Sequence, residues 1–213
     1  MGFTTAISEH RVPFGKNPLV LALICVFLGL WTWTLIGTPD RSNWWLENAL
    51  VFVVLIALVA TRKRMQFSDL SYLLLFVYLC LHIYGAMYTY AENPFGYWLM
   101  DTFGLVRNHY DRIVHFSFGF LLAYPMRELF LVGCGFPTWV AWLLPIEITL
   151  SVSALYELIE WGVADLFFPD LGLAYLGTQG DIWDAQKDIM LAFTGAALAT
   201  TLVSVIKRRF HIE

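Results

Sequence analysis

Seven carboxylates lie between Glu157 and Asp188: Glu157, Glu160, Asp165, Asp170, Asp181, Asp184 and Asp188, with Lys187 as the only base in the run. Oxygen-rich groups of this kind suit hard divalent cations such as Mg, Ca or Mn, and a neighbouring imidazole extends the choice to Zn or Fe. Asp111 and His115 supply a second set four residues apart, stacked on one helical face. Glu157 and Glu160 are three apart, as are Asp181 and Asp184, and Asp188 follows four later, so each set forms a stripe. The expected metal ligands are His115, Glu157, Glu160, Asp181, Asp184 and Asp188. The expected catalytic groups are Asp111, His115 and Arg112, with Asp111 orienting His115 and Arg112 holding an anionic group. A divalent ion there would activate water or polarise a phosphoryl or carbonyl oxygen.

The elements that must position these groups are membrane helices. The 213 residues are 59% hydrophobic and 14% charged, with nine Trp, ten Tyr and seventeen Phe. That is far from a soluble balance and suits many contacts at lipid interfaces. The predicted fold is an all-α polytopic bundle, a single membrane domain over residues 1–213 in the bilayer. Six spans are expected, at roughly 18–37, 44–61, 69–90, 111–132, 138–166 and 185–206, each near the ~20 apolar residues a bilayer needs. The first is too long for a signal-peptide core and no A-x-A site follows it, so a retained anchor is expected.

Basic residues orient the bundle. Arg11 and Lys16, then Arg62, Lys63 and Arg64, then Lys207, Arg208 and Arg209 fall on one side of six spans, with Arg127. The positive-inside rule makes both termini cytoplasmic. The acidic stripes then converge on the external rim. A net charge of −4 gives no support to nucleic-acid binding. Cys25, Cys80 and Cys134 form no CxxC pair and read as buried, inert thiols.

Capping competes with function for some acids. Asp111, Asp181 and Asp184 suit helix N-termini, where a carboxylate complements the dipole. Asp188 and His115 lie a turn deeper, and Glu157 and Glu160 end a helix with the wrong polarity, so capping leaves those four unexplained. Glu147 falls inside the fifth span, where a charge costs roughly 2.5–3.5 kcal/mol, so it is expected to be protonated, or paired with Arg127 or Glu128, with a proton-relay role left open. His82 reads equally as a satisfied bundle histidine or as a ligand. Residues 91–109 read as an interfacial connection, and 167–183, with Pro169, Gly172, Gly177 and Gly180, as an irregular loop.

The stretches YDRIVHFSFGFLLAYPMRE, ALYELIEW and LGTQGDIWDAQKDIMLAFTGAAL together resemble the YjdF-like family of bacterial inner-membrane proteins, in order and spacing. The start Asp111, Arg112, His115 and Phe116, and the late Gly180, Asp181, Asp184 and Gly195, are also similar to the VanZ-like group. The resemblance implies a multi-pass protein of the bacterial inner membrane. The VanZ-like link, to glycopeptide resistance, points toward envelope lipids or cell-wall precursors by analogy alone. No G-x-S-x-G or Walker-type loop is present. Three functions stay open: metal-dependent chemistry on an amphiphilic envelope substrate, proton- or cation-coupled transport, and a non-catalytic binding or scaffold subunit. The first two spans, poor in polar residues, are expected to serve as scaffold.

Overall fold

The computed structural model describes residues 11–167 and 176–210. Asp170, His10, His211 and much of the 167–183 loop, including Pro169 and Gly172, lie outside the described residues. Among the described residues every regular element is helical. They are α1 (Pro18–Gly37), α2 (Arg41–Glu47), α3 (Ala49–Thr61), α4 (Asp69–Met87), α5 (Pro94–Phe103), α6 (Tyr110–Glu128), α7 (Thr138–Phe167) and α8 (Asp184–Phe210).

Six segments are long and apolar enough to cross a membrane: α1, α2 with α3, α4, α6 with the wide turn Leu129–Gly133, α7 and α8. Their outward faces are apolar, with Ile36 73% and Ile56 67% exposed, a surface that water would penalise and lipid accepts. The same arrangement corrects the cysteine expectation. Cys25 and Cys134 are exposed, because apolar sequence in a membrane bundle faces lipid as often as the core.

Local chemistry sets the helix ends. The Asn17 side chain accepts from the Leu19 and Val20 amides at the start of α1, with Pro18 at the first helical position. Ser68 caps α4 and Asn93 caps α5. α4 stops at Met87, short of the expected residue 90, because Thr89 and Tyr90 turn to positive φ. The second span begins at Arg41 and breaks at Asn48, whose side chain accepts from Trp31 Nε1 at 2.6 Å and donates to the Trp44 carbonyl at 2.8 Å.

α6 is the central helix and packs on α4, α7 and α8. Its approach to α8 is closest where Gly119 meets the backbone of Ala192 and Ala196, and Gly195 meets that of Phe116 and Phe120. Small residues at such a crossing allow backbone-to-backbone contact, which drives association where lipid is as apolar as leucine. The crossing fixes the register that brings the start of α6 beside the start of α8.

The opposite end is held by Glu128. Its carboxylate accepts from the Ser68 amide at 2.9 Å, the Ser68 hydroxyl at 3.0 Å and the Ser71 hydroxyl, and pairs with Arg11. Glu147 is exposed on α7 and makes no ion pair among the described residues. The expected pairing with Arg127 or Glu128 does not form, since Glu128 is committed to this staple and Arg127 stacks on Trp142.

Candidate functional site

The site lies at the end of the bundle opposite the described chain ends, and three helices build it. α6 contributes Asp111, Arg112 and His115 from its first two turns. α8 contributes Asp184 as its first residue and Asp188 one turn later, and α7 contributes Glu157 and Glu160. A groove of about 1070 Å³ is lined by six of the expected acids: Asp111, Glu157, Glu160, Asp181, Asp184 and Asp188.

Two connecting segments tie this end together. The Asn108 amide donates to Gln179 Oε1 at 2.8 Å, and Gln179 Nε2 donates back to the Asn108 carbonyl at 3.0 Å. Asn108 also donates to the Asn93 carbonyl at 2.9 Å and accepts from the Tyr110 amide at 3.0 Å, which launches α6. The turn carrying Gln179 needs Gly177 and Gly180, at φ 62° and 86°.

The acids divide into two groups. Asp184 accepts two bonds from Arg107, the second at 3.2 Å, and a third from Arg112 at 3.2 Å. Asp181 binds Arg112 at 2.5 Å and Lys187 at 2.6 Å, with Arg107 at 3.7 Å. These two acids therefore take Arg107, Arg112 and Lys187. Lys187, hydrogen-bonded to Asp181, holds its carboxyl well below the ordinary carboxylate value, aided by the Trp183 amide and Arg112. Burial, reinforced by Arg112 and Arg107, lowers His109.

The second group makes no ion pair with Lys or Arg among the described residues. His115 Nε2 stands 3.5 Å from Asp111 Oδ1 and 3.4 Å from Glu157 Oε1. One oxygen each of Asp111, Asp184 and Asp188 lie within 4.8 Å of one another. Asp188 is 2% exposed, and its Oδ1 makes no hydrogen bond among the described residues. Asp181 stays outside this three-oxygen group, as do Glu157 and Glu160, which line the same groove. Asp165 is exposed and lines no part of it.

Two residues escaped the sequence reading. Arg107 was hidden in the 91–109 segment, although an arginine on the acidic side of the bundle signals a paired role. Glu47 corrects the expectation that the first two spans are scaffold alone: it ends α2 and accepts from the Tyr156 hydroxyl at 3.0 Å, beside Glu160. The break at Asn48 turns this carboxylate inward. His82 is a satisfied bundle histidine, with Nε2 3.1 Å from the Glu47 carbonyl and Nδ1 2.6 Å from the Tyr90 hydroxyl. Below the groove a small cavity of about 60 Å³ is lined by Asp111, His115, Tyr78, His82, Tyr90 and Tyr156.

The family described as predicted membrane protein (DUF2238) matches residues 19–209. The inner membrane protein YjdF of Escherichia coli (strain K12) is 36% identical over 197 residues, covering 92% of this chain and 88% of that protein. No solved structure matches the chain. Six apolar helices and a family match over nearly the whole length agree with the resemblance read from the motifs: this multi-pass membrane protein belongs to the DUF2238 family, with the inner-membrane protein YjdF among its relatives.

Proposed function

We propose that the rim cluster is a divalent-cation site and that the protein is an enzyme acting on the headgroup of an amphiphilic envelope substrate. The observation that carries this reading is Asp188. A nearly inaccessible carboxylate whose Oδ1 makes no hydrogen bond among the described residues, and one oxygen of which lies within 4.8 Å of oxygens of Asp111 and Asp184, is costly unless something positive joins it. The three nearby bases are committed to Asp181 and Asp184, so a cation answers the excess negative charge.

A divalent ion held there supplies a positive centre that polarises a phosphoryl or carbonyl oxygen and favours ionised water. His115, between Asp111 and Glu157, accepts the proton of the attacking water. The water oxygen bonds to the phosphorus or carbonyl carbon, the headgroup ester bond breaks, and His115 returns its proton to the leaving oxygen. The groove wall also carries Leu158, Trp161 and Ile182, an apolar surface that suits a substrate with a hydrocarbon part. With the basic clusters cytoplasmic, the groove opens toward the opposite face of the membrane.

Transport is less well supported. A proton or cation path would have to continue through the bundle. Glu147, the inner acid, lines neither the groove nor the cavity beneath it.

The test is elemental analysis of the detergent-purified protein beside Asp111→Asn and Asp188→Asn at matched folding. About one divalent ion per chain, depleted in both variants, is the result expected of a site with these ligands. Absence of metal from all three, even after dialysis against Mg, Mn and Zn, would remove the cation from the account.

A further inference from the structure

The other end of the bundle holds a buried charged side chain that makes no ion pair among the described residues. Arg127, in the last turn of α6, is 7% exposed. Its guanidinium lies 4.0 Å over the Trp142 ring, its Nε makes no hydrogen bond, and it forms no ion pair among the described residues. Stacking on an aromatic face offsets only part of the cost of burying a cation. Glu128, its neighbour in sequence, is turned to Ser68, Ser71 and Arg11 instead.

Arg127 lines a groove of about 1240 Å³ between the end of α6, the start of α7 and the C-terminal turns of α8. Thr200, Ser204 and Arg208 lie four apart along α8 and present one stripe to that groove. Neither the Thr200 nor the Ser204 hydroxyl makes a hydrogen bond among the described residues. Leu143 and Val205 make the neighbouring wall apolar. The volume exceeds what a single inorganic ion fills and lies somewhat above the usual range of small-ligand pockets.

We propose that this groove binds the phosphate of an anionic phospholipid. Arg127 and Arg208 meet the phosphate oxygens, Thr200 and Ser204 donate to them, and the acyl chains lie along Leu143 and Val205. Guanidinium groups match phosphate geometry with paired donors. The groove sits at the end of the bundle with the basic clusters, where an anionic leaflet is expected to lie. The bound lipid is a fixed component at the end of the bundle away from the acidic rim, so the inference stands independently of the cation site.

The test is native mass spectrometry of the full chain in detergent, titrated with a phosphatidylglycerol, with inorganic phosphate as the competing arm. One retained lipid per chain is expected, weakened about tenfold or more by Arg127→Gln and by Arg208→Gln. Arg209 carries the same charge one residue on but does not line the groove, so Arg209→Gln should change retention by less than about twofold. Excess inorganic phosphate should not displace the lipid. Equal losses in Arg208→Gln and Arg209→Gln would reduce the effect to diffuse surface attraction and overturn the site. Displacement by inorganic phosphate, dependent on Arg127, would overturn the lipid as its source. If Arg127→Gln fails to fold by size-exclusion chromatography, the contrast between Arg208→Gln and Arg209→Gln decides the matter.

Discussion

Arg107 and Asp184 are joined by two guanidinium–carboxylate bonds that run from the segment after α5 to the first residue of α8. Both side chains are more than nine-tenths buried. Removing one partner of such a pair strands the other, at a cost of about 3–5 kcal/mol. Arg107→Gln should therefore lower the unfolding midpoint in detergent sharply. Arg112→Gln should cost clearly less, because Asp184 keeps Arg107 and Asp181 keeps Lys187. Equal losses in the two variants would mean that Arg107 is not the clamp on Asp184.

The crossing of α6 and α8 predicts opposite outcomes for one kind of substitution. A methyl group at Gly119 or Gly195 runs into the backbone of the facing helix, which has no rotamer with which to yield. Gly119→Ala and Gly195→Ala should each destabilise by about 1–3 kcal/mol. Gly29 lies in α1 with open space where a Cβ would sit, so Gly29→Ala should gain about 0.5–1 kcal/mol from helix propensity. Thermal unfolding of the three variants side by side checks the contrast, and a stable Gly195→Ala would rule out the close crossing.

Acid should loosen the rim. The Asp181 carboxyl is held below its ordinary value of 3.8 by Lys187, the Trp183 amide and Arg112. A depressed folded value contributes stability that is present above the unfolded value and lost as pH falls through the folded one. The midpoint of the wild type should thus decline below about pH 4, and Asp181→Asn should flatten that decline while lowering stability at neutral pH. Parallel acid-limb profiles would show that Asp181 is not the titrating group.

Glu128 serves as the structural counterpart to the site acids. It is 4% exposed and its oxygens meet two serines, a backbone amide and Arg11. Glu128→Ala should cost about 3–5 kcal/mol. Its response to added divalent cations should match the wild type, which separates a staple from a ligand. A lost cation response in this variant at matched folding would couple the two ends of the bundle.

The spans and the acid stripes were legible because each obeys a short-range rule. Twenty apolar residues mark a crossing, and three- or four-residue spacings put Asp111 with His115 and Asp184 with Asp188 on shared faces. Partnership across the bundle was not legible. Nothing local to Asp181 or Asp184 says that Arg107, more than seventy residues upstream, takes up Asp184. Glu47 reaches the site only because Asn48 interrupts the second span, and a hydropathy window averages over that break. The cysteines misled for a related reason: hydropathy reports lipid and core alike.

The proposed cation site turns on Asp188, whose Oδ1 makes no hydrogen bond among the described residues. The most direct measurement is the thermal unfolding of wild type and Asp188→Asn in detergent, with chelator and with Mn or Mg. A cation at a hundredfold excess over Kd adds about 2.7 kcal/mol, or about 5–10 °C for a chain of this size. The wild type should show that rise. Asp188→Asn should melt higher than wild type in chelator, since a like charge beside Asp111 and Asp184 is gone, and should not respond to the cation. A wild type indifferent to every cation, or an Asp188→Asn variant that responds as fully as the wild type, would contradict the account.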